Sequence, residues 1–382
     1  VALGLERPSP SLALSVAAGV ALLAVLALAV ARLSAAVALG IALLLVVKFE
    51  PAPSDAVFLV AILVSLVTGR FVVERVPIGP LLLGAGYLAV TLLSLAAAVD
   101  RARGVRFAFI TFYLVLFAVW LAAWTASRDR ARLVLRAYVL AAVVSALLGT
   151  LAMLGPVPGR STLLEYGGTR AVGLFKDPNV FGAFLVPAAL VVLDELFAPR
   201  LLRSGRAGKA AMFLVLALGV VFSFSRAAWI TLILGVVTMA AVYALRRGQL
   251  GRSVAVLGWI VAVVAAVGIA LAAIGSLGFL EQRAQLQGYD THRFGAQAEG
   301  LALVEQHPLG LGPGQFELYA PLSAHSTYVR ALAEEGVVGF ALLAGLFLAT
   351  LVLAGRNVAL GRDTYGIGSA PLLAAWVGLL VG

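Results

Sequence analysis

The sequence predicts an all-α, polytopic helical membrane protein of about 12 transmembrane helices, with a long external loop carrying short helices. Three observations carry that prediction. Of the 382 residues, 62% are hydrophobic and only 12% charged, with a mean hydropathy of +1.06, far from the balance of a soluble domain. Long Ala/Leu/Val runs recur from end to end, and at about 1.5 Å rise per residue each matches the bilayer's hydrocarbon core. The runs are continuous rather than alternating, which calls for helices and not a barrel.

Taken in order, the apolar runs cover 11–31, 33–47, 56–68, 78–98, 107–126, 133–154, 179–195, 209–223, 228–245, 254–276, 337–353 and 368–382. The second, third and eighth are short and read as tilted partners or half-helices. No internal repeat, heptad series or low-complexity linker divides the chain, so a single membrane domain over 1–382 is expected. The sequence opens at Val1 and shows no cleavable signal peptide, and residues upstream are expected.

The formal net charge of +10 does not point to nucleic acid, because the Arg and Lys residues sit in short loops between apolar runs, the distribution that orients helices in a membrane. "SRDRAR" (127–132), "APRLLRSGRAGK" (198–209), "LRRGQLGRS" (245–253) and "GRNVALGRD" (355–363) fall on one side and mark the cytoplasmic face. The opposite face then carries 155–178, the tight link at Ser225 and Arg226, and a loop from about 277 to 336. "DRARGVR" (100–106) is basic yet lands on that outer face, as does the N-terminus, which an additional upstream helix or a mis-split early span would remedy. Zero cysteines exclude disulfides and thiolate metal sites.

The outer face holds the residues with chemistry. Arg226, in "FSFSRAAWITL", admits two readings: an arginine that snorkels to water beside the interfacial Trp229, or an anion site built on a planar guanidinium fork. Arg293 opens a helical pattern through Val304, with Phe294, Ala298 and Leu301 on one stripe, that stops before Pro308. "GLGPG" (310–314) is a loop in which Gly312 and Gly314 allow a ligand to approach the backbone, or serve only a turn; no Lys-Ser/Thr follows, so it is no P-loop. His325 heads "HSTYVRALAEEGVVGF", where His325, Tyr328 and Leu332 with Gly336 and Gly339 read as a helix entering the membrane. It is either a structural hydrogen bonder or a base, and nearby guanidinium charge favours the neutral imidazole that a base needs. His292 and His307 lack such a setting, and the three histidines match no zinc spacing, so neither metal nor cofactor is expected. In "GGTRAVGLFKDPNVFGAF", Asp177-Pro178-Asn179 reads as a turn and helix cap. Arg170 and Lys176 add cations, so that Arg170, Lys176, Arg226 and Arg293 beside a histidine suggest an anionic ligand with a proton to remove.

"GLFKDPNVFGAF", "FSFSRAAWITL", "HPLGLGPGQF" and "HSTYVRALAEEGVVGF", in that order over roughly 170 to 350, resemble the O-antigen ligase and polymerase superfamily of bacterial membrane glycosyltransferases. The resemblance implies transfer of a glycan from undecaprenyl pyrophosphate to an acceptor hydroxyl at the outer, periplasmic face of the plasma membrane. It implies His325 as base, Arg226 and Arg293 as stabilisers of the departing pyrophosphate, and no metal. The partners are the lipid-linked glycan, an acceptor glycan or glycolipid, and membrane lipid. Arg170, Lys176, Gly312, Gly314, Tyr328 and Glu334 are assigned to substrate binding. The family's His-Asn pair is His-Ser here, at Ser326, and its glutamate before a glycine falls at Glu334. A ligase with lipid A core as acceptor is the reading taken, with a polymerase extending a lipid-linked repeat as the alternative. A lipid-linked sugar transporter is the rival of another class; it calls for charged residues at mid-membrane and repeat symmetry, and the apolar runs offer little of either.

Overall fold

The computed structural model describes residues 12–381 except 156, 247, 274, 276–277, 279–287, 321–322 and 324–325, and for 12–14, 16, 260, 270–271, 273 and 288–293 the backbone only. It is nearly all helix. The apolar runs become α1 (Leu12–Ala31), α2 (Leu33–Leu43), α3 (Pro53–Val67), α4 (Ile78–Ser94), α5 (Arg101–Trp124) and α6 (Arg128–Leu154). After a short α7 (Arg160–Leu163) and a two-residue hairpin, β1 (Leu164–Glu165) and β2 (Arg170–Ala171), come α8 (Pro178–Phe197), α9 (Arg206–Phe222), α10 (Arg226–Leu245) and α11 (Leu250–Ala273). The expected loop helices follow as α12 (Gly288–Gln306) and α13 (Phe316–Tyr319), before α14 (Thr327–Ala359) and α15 (Ser369–Val381).

Seven described helices are long and apolar enough to cross a membrane: α4 with the turn after it, α5, α6, α8, α10, α11 and α14. The chain is thus a multi-pass membrane protein in composition and architecture. Parts of α1, α2, α3 and α15 are equally apolar but shorter, and α9 has 17 residues.

Two apolar cores hold the bundle. In the larger, α8 is the central post, with Phe181, Leu185, Leu190 and Leu193 buried against α6, α9, α10 and α15. Close approach is bought with small residues: a Cβ on Gly219 of α9 would lie 2.7 Å from Leu185, and one on Gly235 of α10 would lie 2.6 Å from Leu190. The smaller core joins α1, α2, α3 and α5 through Phe58, Trp120 and Trp124. α4 runs along α14, where Gly86 packs on Leu342 and Gly345 on Leu83.

The four basic loops do meet at one end. Arg200 pairs with Asp194 at 2.7 Å and with Asp363; Arg246 donates to Ser369 Oγ at 2.9 Å; Gly366 lies against Arg128 and Arg132. Lys209 and Glu195, both buried, pair at 2.9 Å in the same region. Helix ends alternate from there, which brings the N-termini of α3, α5, α8, α10 and α14 together at the other end. "DRARGVR" lies at that other end, and its placement has a local reason: Arg103 pairs with Glu317 of α13 at 2.8 Å.

The structure adds to two of the helical readings. The helix read from His325 through Gly339 does not run straight, because Gly336 breaks it at φ 70°, ψ −172°. The helical pattern with Phe294, Ala298 and Leu301 on one stripe is present in α12; all three are exposed, and the helix packs through Ala296 and Gly300, the latter against Val329 and Phe316.

Candidate functional site

The end opposite the basic loops carries the motifs, in two groups. The first surrounds the link between α9 and α10. Phe224 adopts a left-handed φ of 47°, uncommon for a bulky residue, and this tight turn leaves only three residues between α9 and α10. Ser225 caps α10, its Oγ accepting from Ala228 N at 3.4 Å, and Arg226 is the first helical residue, half-buried at a helix N-terminus that favours anions. Trp229 folds back to donate from Nε1 to Val220 O at 3.2 Å.

Arg170 reaches this link from β2. Buried, it donates from Nε to Ser223 O at 2.8 Å and from its terminal nitrogen to Asn179 Oδ1 at 3.0 Å, with its guanidinium 5.4 Å from the centre of the Tyr166 ring. One side chain therefore ties the hairpin, the start of α8 and the α9–α10 turn together. Asp177 caps α8 as expected, accepting from Asn179 N at 2.6 Å. Lys176 is exposed and pairs with Glu50, whose carboxyl it holds below the usual range.

The second group is the loop 307–316 seated in the break of α14. The break at Gly336 leaves carbonyls without helical partners, and the loop supplies them: Leu311 N donates to Ala333 O and Gly312 N to Glu334 O, both at 2.9 Å, while Val337 N donates to Pro308 O at 3.2 Å. Glu334 is buried and accepts from Gly314 N at 2.7 Å, Phe316 N at 3.1 Å and Arg330 Nε at 3.2 Å. Arg330 also pairs with Glu317, so Arg103, Glu317, Arg330 and Glu334 form one chain of charges. Gln315, fully buried, accepts from Asp100 N at 2.9 Å and donates to Asp100 O at 3.0 Å, fastening the loop to the start of α5.

Gly312 and Gly314 sit in close packing: an added Cβ would lie 2.9 Å from Ala98 at the first and would collide with the Phe107 ring at the second. Gly314 N is already committed to Glu334. Tyr328 donates its hydroxyl to Leu380 O at 2.7 Å, at the end of α15. α15 stands between the two groups, since its Gly378 also packs on Thr231 of α10. Arg293 lies on α12, about two helical turns before Gly300, and its side chain is outside the described residues, as is all of His325. Ser326, next to His325, caps α14, its Oγ accepting from Val329 N at 3.4 Å.

Sequence reasoning missed Gln315, Arg330, Glu317 and Arg103, which set the loop's position. "AEEG" and "GQF" held the signal, since a glutamine and glutamates beside glycines in an apolar chain call for buried partners.

Residues 211–344 match the model of the O-antigen ligase family, Wzy_C, which supports the O-antigen ligase superfamily for this chain. The matched segment encloses Arg226, Arg293, Gly312, Gly314, His325, Tyr328 and Glu334, and leaves Arg170 and Lys176 outside. No curated protein matches the chain.

Proposed function

We propose that this chain is a membrane glycosyltransferase of the O-antigen ligase type, transferring a glycan from undecaprenyl pyrophosphate to an acceptor sugar hydroxyl, with lipid A core as the acceptor. The observation that carries this reading is the family match over the segment that contains Arg226, Arg293 and His325. In this reading about twelve apolar helices form the bundle in the plasma (inner) membrane, the short ones as tilted partners or half-helices, and the motif end faces the periplasm.

In the reaction, the acceptor oxygen bonds to the anomeric carbon as the bond from that carbon to the pyrophosphate oxygen breaks. His325 takes the acceptor's hydroxyl proton, and undecaprenyl pyrophosphate leaves with the electron pair. A single displacement inverts the anomeric centre. Pyrophosphate leaves readily, so no general acid is needed, and fixed guanidinium groups replace a metal. Arg226, at the N-terminus of α10, and Arg293 stabilise charge that grows toward the transition state. Arg170 and Glu334 act as positioning residues: the first holds the α9–α10 turn that presents Arg226, and the second holds the 307–316 loop. Lys176 and Tyr328, at the same end, are assigned to the glycan. Gly312 and Gly314 serve by letting the loop pack.

The test is release of undecaprenyl pyrophosphate from a lipid-linked oligosaccharide by the purified protein in nanodiscs, without added metal. Acceptor-dependent release is expected, with Arg226→Ala and His325→Ala each lowering it by about 10²-fold or more. The acceptor that works separates ligase from polymerase. Folded protein that carries the lipid across liposomes but releases nothing with any acceptor would replace the transferase with a transporter.

A further inference from the structure

The molecule has a second concentration of cations, far from the motif end and outside the family-matched segment. An open cavity of about 1050 Å³ lies among α1–α2, the α3–α4 link and the start of α6, and Arg32, Arg70, Arg75 and Arg130 line it. Three stretches of chain remote in sequence contribute one or two arginines each.

What sets these four arginines apart is that they share one cavity with no carboxylate in it. Arg200 and Lys209 have carboxylate partners, whereas among the described residues none of the four cavity arginines forms an ion pair, and no acidic residue lines the cavity. Arg130 is half-buried and fixed: its Nε donates to Ser127 Oγ at 3.0 Å, and its guanidinium lies 5.5 Å from the centre of the buried Trp124 ring. Arg32, Arg70 and Arg75 are exposed around it. Four like charges about one concavity repel one another unless an anion joins them. The first turn of α2, with Leu33 and Ser34 in the lining, adds its positive helix end.

The surroundings say which anion. Val30 and Val67, close in sequence to Arg32 and Arg70, are 61% and 88% exposed, as side chains facing hydrocarbon are, so the cavity opens where an apolar belt meets the basic end. Basic pockets between helices at that depth take anionic lipid headgroups.

We propose that this cavity binds the phosphate of an anionic phospholipid headgroup, with Arg130 stacked on Trp124 as its fixed floor and Arg32, Arg70 and Arg75 closing on the phosphate oxygens. The site is independent of the glycan chemistry at the opposite end.

Native mass spectrometry of the full chain, released from detergent with equal phosphatidylglycerol and phosphatidylcholine, tests this. Wild type is expected to retain phosphatidylglycerol preferentially. Arg70→Gln/Arg75→Gln and, separately, Arg32→Gln should each lower that retention, by about fivefold or more per arginine removed. Arg203→Gln/Arg206→Gln, an equal charge change at exposed positions outside the cavity, should leave it unchanged. Retention that survives both cavity variants, or falls equally in the control, overturns the site. Displacement of phosphatidylglycerol by inorganic phosphate at equal concentration would make free phosphate the ligand and overturn the lipid assignment.

Discussion

Gly336 decides the shape of the motif end. Its φ of 70° and ψ of −172° fall in a region open only to glycine, and an added Cβ would also lie 2.6 Å from Leu309 C. Gly336→Ala should therefore cost at least about 1–3 kcal/mol, seen as a lowered Tm in detergent, and should expel the 307–316 loop from the break. Protein that melts like wild type would show that α14 does not need this conformation. Glu334→Gln is a finer probe. It keeps size but turns an amide NH2 toward backbone donors, so that one of Gly314 N and Phe316 N loses its acceptor; a loss of about 1–3 kcal/mol is expected, with glycan transfer falling further than Tm alone accounts for. The sequence marked both residues, through "AEEGVVG", and the resemblance assigned the glutamate to substrate binding; its backbone partners were not legible. Its partners lie 18 and 20 residues upstream, a separation no local pattern reports. Arg170 was legible as a cation of the outer face and assigned to substrate binding; its bond to Ser223, 53 residues away, was not legible.

At the scale of elements, the helices were legible because each apolar run needs every backbone group satisfied within itself, and α4, α5, α6, α8, α10 and α11 match their runs within a few residues. α12 was legible as a helix from Arg293 through Val304, shorter than the observed Gly288–Gln306, and its orientation was not legible, because in a membrane protein an apolar stripe is equally at home outside. The basic end was legible as a place and not as a network. There Asp363 accepts from Ser369 N at 3.0 Å and pairs with Arg200, fixing the link from α14 to α15, and these bonds hold its carboxyl below the usual range against the cost of burial. A depressed folded-state pKa means stability that is present above the unfolded value of about 3.9 and lost as pH falls through the folded value. Wild type should thus lose Tm on acidification below about pH 4, and Asp363→Asn should be less stable at neutral pH with a flatter profile over that window. Parallel profiles for the two proteins would remove Asp363 from the acid response.

At the scale of the whole molecule, the bundle has two chemically distinct ends, and how many helices separate them across a bilayer is the property on which the functional reading depends. The pairing of Arg200 with Asp363, the seat of Gly366 on Arg128 and Arg132 and the bond from Arg246 to Ser369 put four basic loops together, while Arg170 on Ser223 and Arg103 on Glu317 put the motif segments together. Short loops rich in Lys and Arg favour the cytoplasmic side, and the proposed function accordingly has the motif end facing outward. The absence of cysteine from the sequence makes this directly measurable, since any introduced thiol is the sole target. Ser161→Cys and Arg101→Cys, exposed at the motif end, should react with an impermeant maleimide in intact cells; Glu74→Cys and Arg203→Cys, exposed at the basic end, should react only after permeabilisation. Ser161 and Arg203 flank α8, and Glu74 and Arg101 flank α4, so each pair tests one crossing. Both members of a pair reacting from one side would remove that helix from the count. All four reacting with sides exchanged would put Arg226 in the cytoplasm, where an acceptor exposed only on the outer face is out of reach.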